Sequence, residues 1–161
     1  MKSKVLSRST ITRVARRLRA SRKKIVFTNG TFDVLHLGHV RYLQKAKNLG
    51  HVLVVGVNSD KSVRGYKGPG RPINPQKDRI EVLTALSCVD YAVVFSEPTP
   101  LRLIHAVRPH VLVKGADWEI SQIAGAPEVL SWGGSVRRMP LVAGRSSSRI
   151  IKMLAGVKRK R

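Results

Sequence analysis

The 161-residue chain is 42% apolar, the size and make-up of one ordinary domain with its own core, which excludes wholesale disorder and leads to the expectation of one domain rather than a two-domain enzyme. Its 31 Lys and Arg against 9 Asp and Glu give a formal charge of +22, which at face value suggests nucleic acid or another polyanion, while the +8 that remains once the basic ends are set aside favours phosphorylated ligands. The single cysteine, Cys88, excludes an internal disulfide or a cysteine-built zinc site and fits a reducing compartment. No stretch approaches the ~18 to 20 consecutive apolar residues that span a bilayer, and no apolar run follows the basic N-terminus, so a cytoplasmic protein is expected.

Residues 1–24 carry ten basic and no acidic residues. Ile11, Val14, Ala15 and Leu18 fall there at helical spacing, which predicts a basic surface helix rather than a transit peptide. Lys158, Arg159, Lys160 and Arg161 form a second basic tail, giving expected boundaries of 1–24, a folded domain over 25–155, and a tail over 156–161. Both tails read as solvated ends, with RNA or an acidic membrane surface as the alternative.

From Lys24 onward, short β-branched runs alternate with longer helical periodicities, the pattern of a parallel sheet with crossover helices. Strands are predicted over Ile25–Thr28, Val52–Val57, Tyr91–Phe95, Val111–Val113 and Ser135–Met139. Helices are predicted over Gly38–Leu49, Pro75–Leu86, Pro100–Val107, Ile120–Ser131 and Ser146–Leu154, with Pro75 and Pro100 at first-turn positions and Gly50 at a C-cap. The stretch Gly65–Pro75, rich in Gly and Pro, reads as a loop near substrate. The expected fold class is α/β, a Rossmann-like doubly wound sheet of about five strands with helices on both faces.

The chemistry concentrates in Thr28–His39, where the first strand meets a helix. Gly30 lets backbone approach a ligand at the sheet's C-terminal edge, and the next helix N-terminus offers free N–H groups to a phosphate. His36 and His39 flank Gly38 and, three residues apart, share one face of that helix start. Zinc ligation by the pair lacks a third nearby ligand other than Asp33. Gly68-Pro69-Gly70 lacks the strand-to-helix setting of a dinucleotide fingerprint, and neither a Walker lysine motif nor a GxSxG elbow occurs. Lys114 ends an apolar strand at the same expected edge, and Ser146, Ser147 and Ser148 open the last predicted helix, where one of them suits N-capping.

The His36-Leu37-Gly38-His39 segment resembles the first motif of the HxGH nucleotidyltransferases, the cytidylyltransferase-like superfamily. The stretches Asn58–Val63, Lys67-Gly68 with Arg71–Asn74, Asp78-Arg79, Cys88–Tyr91 and Val113–Asp117 further resemble the bacterial heptose 1-phosphate adenylyltransferases that make ADP-heptose. The resemblance covers nearly all of residues 11–155. It implies Mg²⁺-dependent transfer of AMP from ATP to D-glycero-β-D-manno-heptose 1-phosphate for lipopolysaccharide or other heptose-containing glycans. Mg²⁺ would be carried mainly by the ATP phosphates, with no protein metal ligand assigned. A homodimer and a separate heptose kinase upstream are also implied.

By the same resemblance His36, His39 and Lys47 are catalytic. Asn29, Gly30, Thr31, Phe32, Asp33, Gly38, Arg79 and Arg145, with the serine run Ser146–Ser148, hold the nucleotide. Asn58, Lys67, Arg71, Lys114, Asp117 and Trp118 meet the acceptor. Trp118, often tyrosine in the heptose enzymes, is reminiscent of the glycerol-3-phosphate cytidylyltransferases, which makes a CTP-dependent enzyme the alternative. Against it, Leu141 and Val142 stand where that group has an Arg-Thr pair. A third reading is a basic nucleic-acid-binding protein on the same fold; the few aromatic residues, none clustered with the tails, speak against it.

Overall fold

The computed structural model describes residues 3–140 and 142–157. Leu141 and the four basic residues of the expected C-terminal tail, Lys158–Arg161, lie outside the described residues. Five strands, β1 (Ile25–Gly30), β2 (Val52–Asn58), β3 (Tyr91–Phe95), β4 (Val111–Gly115) and β5 (Ser135–Met139), pair in parallel in the order β3-β2-β1-β4-β5. The helices are α1 (Arg8–Ala20), α2 (Leu37–Lys47), α3 (Asp60–Lys67), α4 (Gln76–Ala85), α5 (Leu101–Val107), α6 (Ala126–Ser131) and α7 (Ser147–Val157). None is long and apolar enough to cross a membrane.

Residues of period two in the strands divide the core between the sheet's faces. Phe27, Val54, Val93 and Leu112 point to one side with Leu103, Ile104 and Val107 of α5, while Val26, Leu53, Val55 and Val113 point to the other with Leu43 of α2 and Leu83 of α4. Chain direction across the sheet reverses between β1 and β4, so the crevice at their C-terminal ends is the topological switch point where open α/β sheets take ligands.

Helix α1 begins at Ser7, whose Oγ accepts from the Thr10 N–H at 3.2 Å, and its Ile11 and Ala15 are completely buried against α5. The amphipathic spacing that located it also docks it. Three predicted boundaries move. Asp60–Lys67, read as a motif running into a loop, folds as α3, with Ser59 capping it by accepting from the Ser62 N–H. The loop therefore starts at Gly68, whose positive φ of +83° ends the helix in a backbone conformation that glycine takes without strain. The predicted helix Ile120–Ser131 is divided into a single 3₁₀ turn, Ile120–Gln122, and α6, because Gly125 at φ +87° breaks the backbone between them.

Candidate active site

An open cleft of about 350 Å³ lies over the C-terminal ends of β1 and β4. Its floor is Asn29 and Gly30 of β1 with Gly115 of β4; Thr31, Phe32 and Asp33 follow from the loop after β1. In that loop Phe32 and Val34 adopt φ of +50° and +48°, a left-handed conformation that costs a bulky or β-branched residue roughly 1 to 2 kcal/mol. Such strain is held only where surrounding contacts impose it, and here it carries the chain into α2.

The start of α2 is built around its two histidines. His36 is the N-cap, and its Nδ1 accepts from the Gly38 N–H at 3.1 Å, so the neutral ring carries its proton on Nε2. The His36 and His39 rings stack with centroids 3.9 Å apart, and Phe32 meets His39 edge-on at 5.4 Å. A Cβ on Gly38 would stand 2.9 Å from the His36 ring and 3.4 Å from the Arg145 Cβ, so only glycine lets the pair and Arg145 converge. Burial, then the neighbouring His36 and Lys67 charges, pushes His39 down to about 4 against a smaller opposing effect of Asp33. Burial and Arg145 push His36 down too. Two neutral imidazoles thus sit beside a helix N-terminus with no acid in its first turn. The His39 Nδ1 is buried without a hydrogen-bond partner among the described residues.

Across the cleft, Arg145, Ser146, Ser147 and Ser148 bring in the start of α7. Ser146 Oγ accepts from the Arg149 N–H at 3.2 Å, and Ser147 Oγ donates to the Asp33 carbonyl, which ties this second helix start to the loop after β1. Two helix N-termini therefore border one cavity, an arrangement suited to a ligand with several phosphates.

Lys114 Nζ lies 3.3 Å from the Asn29 carbonyl and 5.2 Å from the Trp118 ring centre, and burial lowers its pKa. Lys67, from the end of α3, also lines the cleft and is lowered by burial and by Arg71. Asp117 and Trp118 line the same cleft.

Several assigned residues do other work. Lys47 sits at the opposite end of α2, ten residues or roughly 15 Å from its start. Its ammonium pairs with Asp90 at 2.5 Å and donates to the His51 carbonyl, so it joins helix to sheet below the strands instead of facing the cleft. Lys47→Ala is expected to cost about 1 kcal/mol or less, since both partners are partly exposed, and to leave turnover within about twofold; thermal melts and steady-state rates check both. Arg79 is 2% exposed and does not line the cleft. Its guanidinium donates to the carbonyls of Thr31, Asn58 and Asn74 and pairs with Asp60 at 2.8 Å.

Asp33 borders the cleft, yet its two oxygens accept from the Ile73 and Asn74 N–H groups at 2.7 and 3.0 Å. It positions the loop after α3. Arg71 stands 3.4 Å from Asp33, outside the cleft lining, with Nε and Nη2 buried and without hydrogen bonds among the described residues. Asn58 is buried at the end of β2, where its Nδ2 donates to Ser62.

Tyr42, Gly115 and Val142 also line the cleft, though none of them had been assigned a role there. Tyr42 was findable, being three residues after His39 on the same helical face; its hydroxyl shares a 2.7 Å hydrogen bond with Thr28, and burial pushes it up to about 12.

A cytidylyltransferase-like family model matches residues 27–153. The chain is 49% identical over 152 residues to the bifunctional protein HldE of Syntrophotalea carbinolica and 50% identical over 153 to that of Wolinella succinogenes. These matches cover 94% and 95% of the chain but 31% of each relative, so the chain spans about a third of the length of the curated relatives it matches. Among solved structures it is similar to the lipopolysaccharide core biosynthesis protein of Thermoplasma volcanium, at 28% identity and a TM-score of 0.63 over 74% of this chain and 97% of that one. The pantoate-beta-alanine ligase of Francisella tularensis, at 18% identity and a TM-score of 0.66 over 89% of this chain and 68% of that one, shares the fold. Because the family match runs from inside β1 into α7, across every element that borders the cleft, the chain belongs to the cytidylyltransferase-like family of nucleotidyltransferases.

Proposed function

We propose that this chain transfers AMP from ATP to D-glycero-β-D-manno-heptose 1-phosphate, giving ADP-heptose and pyrophosphate. The observation that carries the reading is the cleft in which two helix starts, a stacked pair of neutral histidines, Lys67, Lys114 and Arg145 surround one volume. A phosphate oxygen of the acceptor attacks the α-phosphorus, the bond from that phosphorus to the bridging oxygen breaks, and pyrophosphate leaves with its electron pair. Such a transfer needs alignment and charge compensation more than a protein nucleophile. His36 and His39 donate to the transferring phosphate, the α7 start holds the outer phosphates, and Lys114 meets the acceptor.

Among the described residues no group of three or more His, Cys, Asp and Glu forms a metal cage. Mg²⁺ would arrive on the triphosphate, with no protein ligand assigned to it, and would supply charge neutralisation there. The heptose assignment is supported by the roughly 50% identity to proteins named HldE and by the motifs from Asn58 to Asp117. The reading includes a cytoplasmic homodimer and an upstream kinase, since a sugar 1-phosphate is made by phosphorylation. Trp118 on the cleft wall favours a second reading, CTP with glycerol 3-phosphate.

Pyrophosphate release with ATP or CTP crossed against heptose 1-phosphate or glycerol 3-phosphate separates them. Turnover is expected with ATP and the heptose. Activity confined to CTP and glycerol 3-phosphate replaces the acceptor assignment, and inactivity in all four overturns both.

A further inference from the structure

The cleft leaves unused a basic region at the other end of the sheet. Lys24, His110 and Gly134 immediately precede β1, β4 and β5, so they lie at the strands' N-terminal edge, the six-residue length of β1, roughly 17 Å, away from the cleft. Two adjoining cavities of about 550 and 270 Å³ share Arg19, His110, Gly133 and Gly134; Arg22 and Lys24 extend one, Arg108 and Trp132 the other. Among the described residues no carboxylate lines either cavity, and none of Arg19, Arg22, Lys24 and Arg108 takes part in an ion pair.

We propose that this groove binds the phosphate backbone of a single-stranded nucleic acid.

Two of the cations, Arg19 and Arg108, are held in place before any ligand arrives. Arg19 donates to the Val107 carbonyl, and the Arg108 guanidinium stacks 5.5 Å from the Trp132 ring centre, whose Nε1 in turn donates to the Pro109 carbonyl at 3.2 Å. His110 Nδ1 accepts from the Ile25 N–H at 2.9 Å, which leaves the neutral ring's donor proton on Nε2. Their mutual repulsion is unrelieved: burial, Arg108 and Arg16 lower Arg19, and burial, Arg19 and Lys24 lower His110.

Backbone conformation adds an independent sign. Arg22 and Arg108 take φ of +54° and +46°, left-handed positions beyond helix C-termini where glycine is usual. Both strained arginines line the groove, and strain of this kind gathers at binding sites.

Extent selects the ligand. Arg19, Arg22, Lys24 and Arg108 are spread over two adjoining cavities, and Arg16, close enough to Arg19 to lower its pKa, adds a further cation beside them. That outruns one phosphate group, whereas a nucleic-acid strand repeats its charge every ~3.4 Å of axis. The surface is also a groove, which suits a strand better than a flat bilayer.

The test is fluorescence anisotropy of a labelled oligouridine of roughly 20 nucleotides with the full chain, titrated at several salt concentrations from about 50 mM upward. The variant Arg22→Gly/Arg108→Gly removes two charges and places glycine where its backbone freedom helps, and its melting point verifies the fold. Binding that falls steeply with salt is expected, with a loss of about tenfold or more in the variant, a slope smaller by about 1.4, and unchanged pyrophosphate release. Three results overturn the proposal: no binding at about 50 mM salt, equal binding by the variant, or loss on deleting Lys158–Arg161 while the variant binds normally. Anionic vesicles or polyglutamate bound in preference to the oligonucleotide, with the same sensitivity to the variant, also overturn it.

Discussion

Replacing His36 with Asn is expected to leave the melting temperature nearly unchanged and to lower kcat by about 10² to 10³-fold. Asn is as good an N-cap as this position can have, so it keeps an acceptor for the Gly38 N–H that His36 Nδ1 now engages at 3.1 Å. What it removes is the imidazole Nε2 donor that the proposed reaction sets beside the transferring phosphate. His39→Ala should lose a similar factor. Because the rings stack at 3.9 Å, they act as a unit, and the double variant should fall well short of the product of the two losses. Steady-state rates beside thermal melts check all three variants; near-normal turnover in both single variants would remove the pair from the chemistry.

The same pair predicts a pH dependence of stability. His39 titrates at about 4 in the fold and near 6.5 when unfolded, so between those values the unfolded chain binds the extra proton. Stability therefore falls as pH drops from about 6.5 towards 4 and this contribution levels below it. His39→Gln should flatten that slope by at most about 1.4 kcal/mol per pH unit, measurable by urea denaturation at several pH values. His36 and His110, also lowered chiefly by burial, add slope of the same sign. A slope unchanged by His39→Gln would mean that His39 is solvated as freely in the fold as outside it.

The parallel strands were legible because buried strands need runs such as Leu53–Val55, and the start of α2 was legible because two histidines around a glycine have few other uses. The helix α3 was hidden by its composition, with polar residues around a single buried Val63 and two glycines at and beyond its end. The boundary at Gly125 depended on a left-handed φ that neither a lone glycine nor Pro127 announces. Two residues assigned by the resemblance stand away from the cleft lining. Lys47 and Arg79 are cations on helices of the right layer, but the cation's partner is set by tertiary contacts that sequence spacing does not encode: Asp90 and a carbonyl for one, three carbonyls and Asp60 for the other.

Arg79 is where those tertiary contacts predict the largest loss of stability. Its guanidinium joins the loop after β1 at Thr31, the end of β2 at Asn58, the loop after α3 at Asn74, and the start of α3 at Asp60. Arg79→Ala leaves these acceptors without donors in a site only 2% exposed; Asp60, partly exposed, regains water, whereas the carbonyls do so only by opening the structure. A loss of about 3 kcal/mol is expected, equivalent to a melting point lower by roughly 6 to 12 °C for a chain of this size. Arg79→Lys should recover little of it, because one ammonium lacks the planar fork that reaches four acceptors at once. Assayed well below its melting point, the Ala variant should keep a nucleotide KM within about threefold, since Arg79 lies outside the cleft lining. An unchanged melting point with a KM raised more than about tenfold would instead make Arg79 a nucleotide contact.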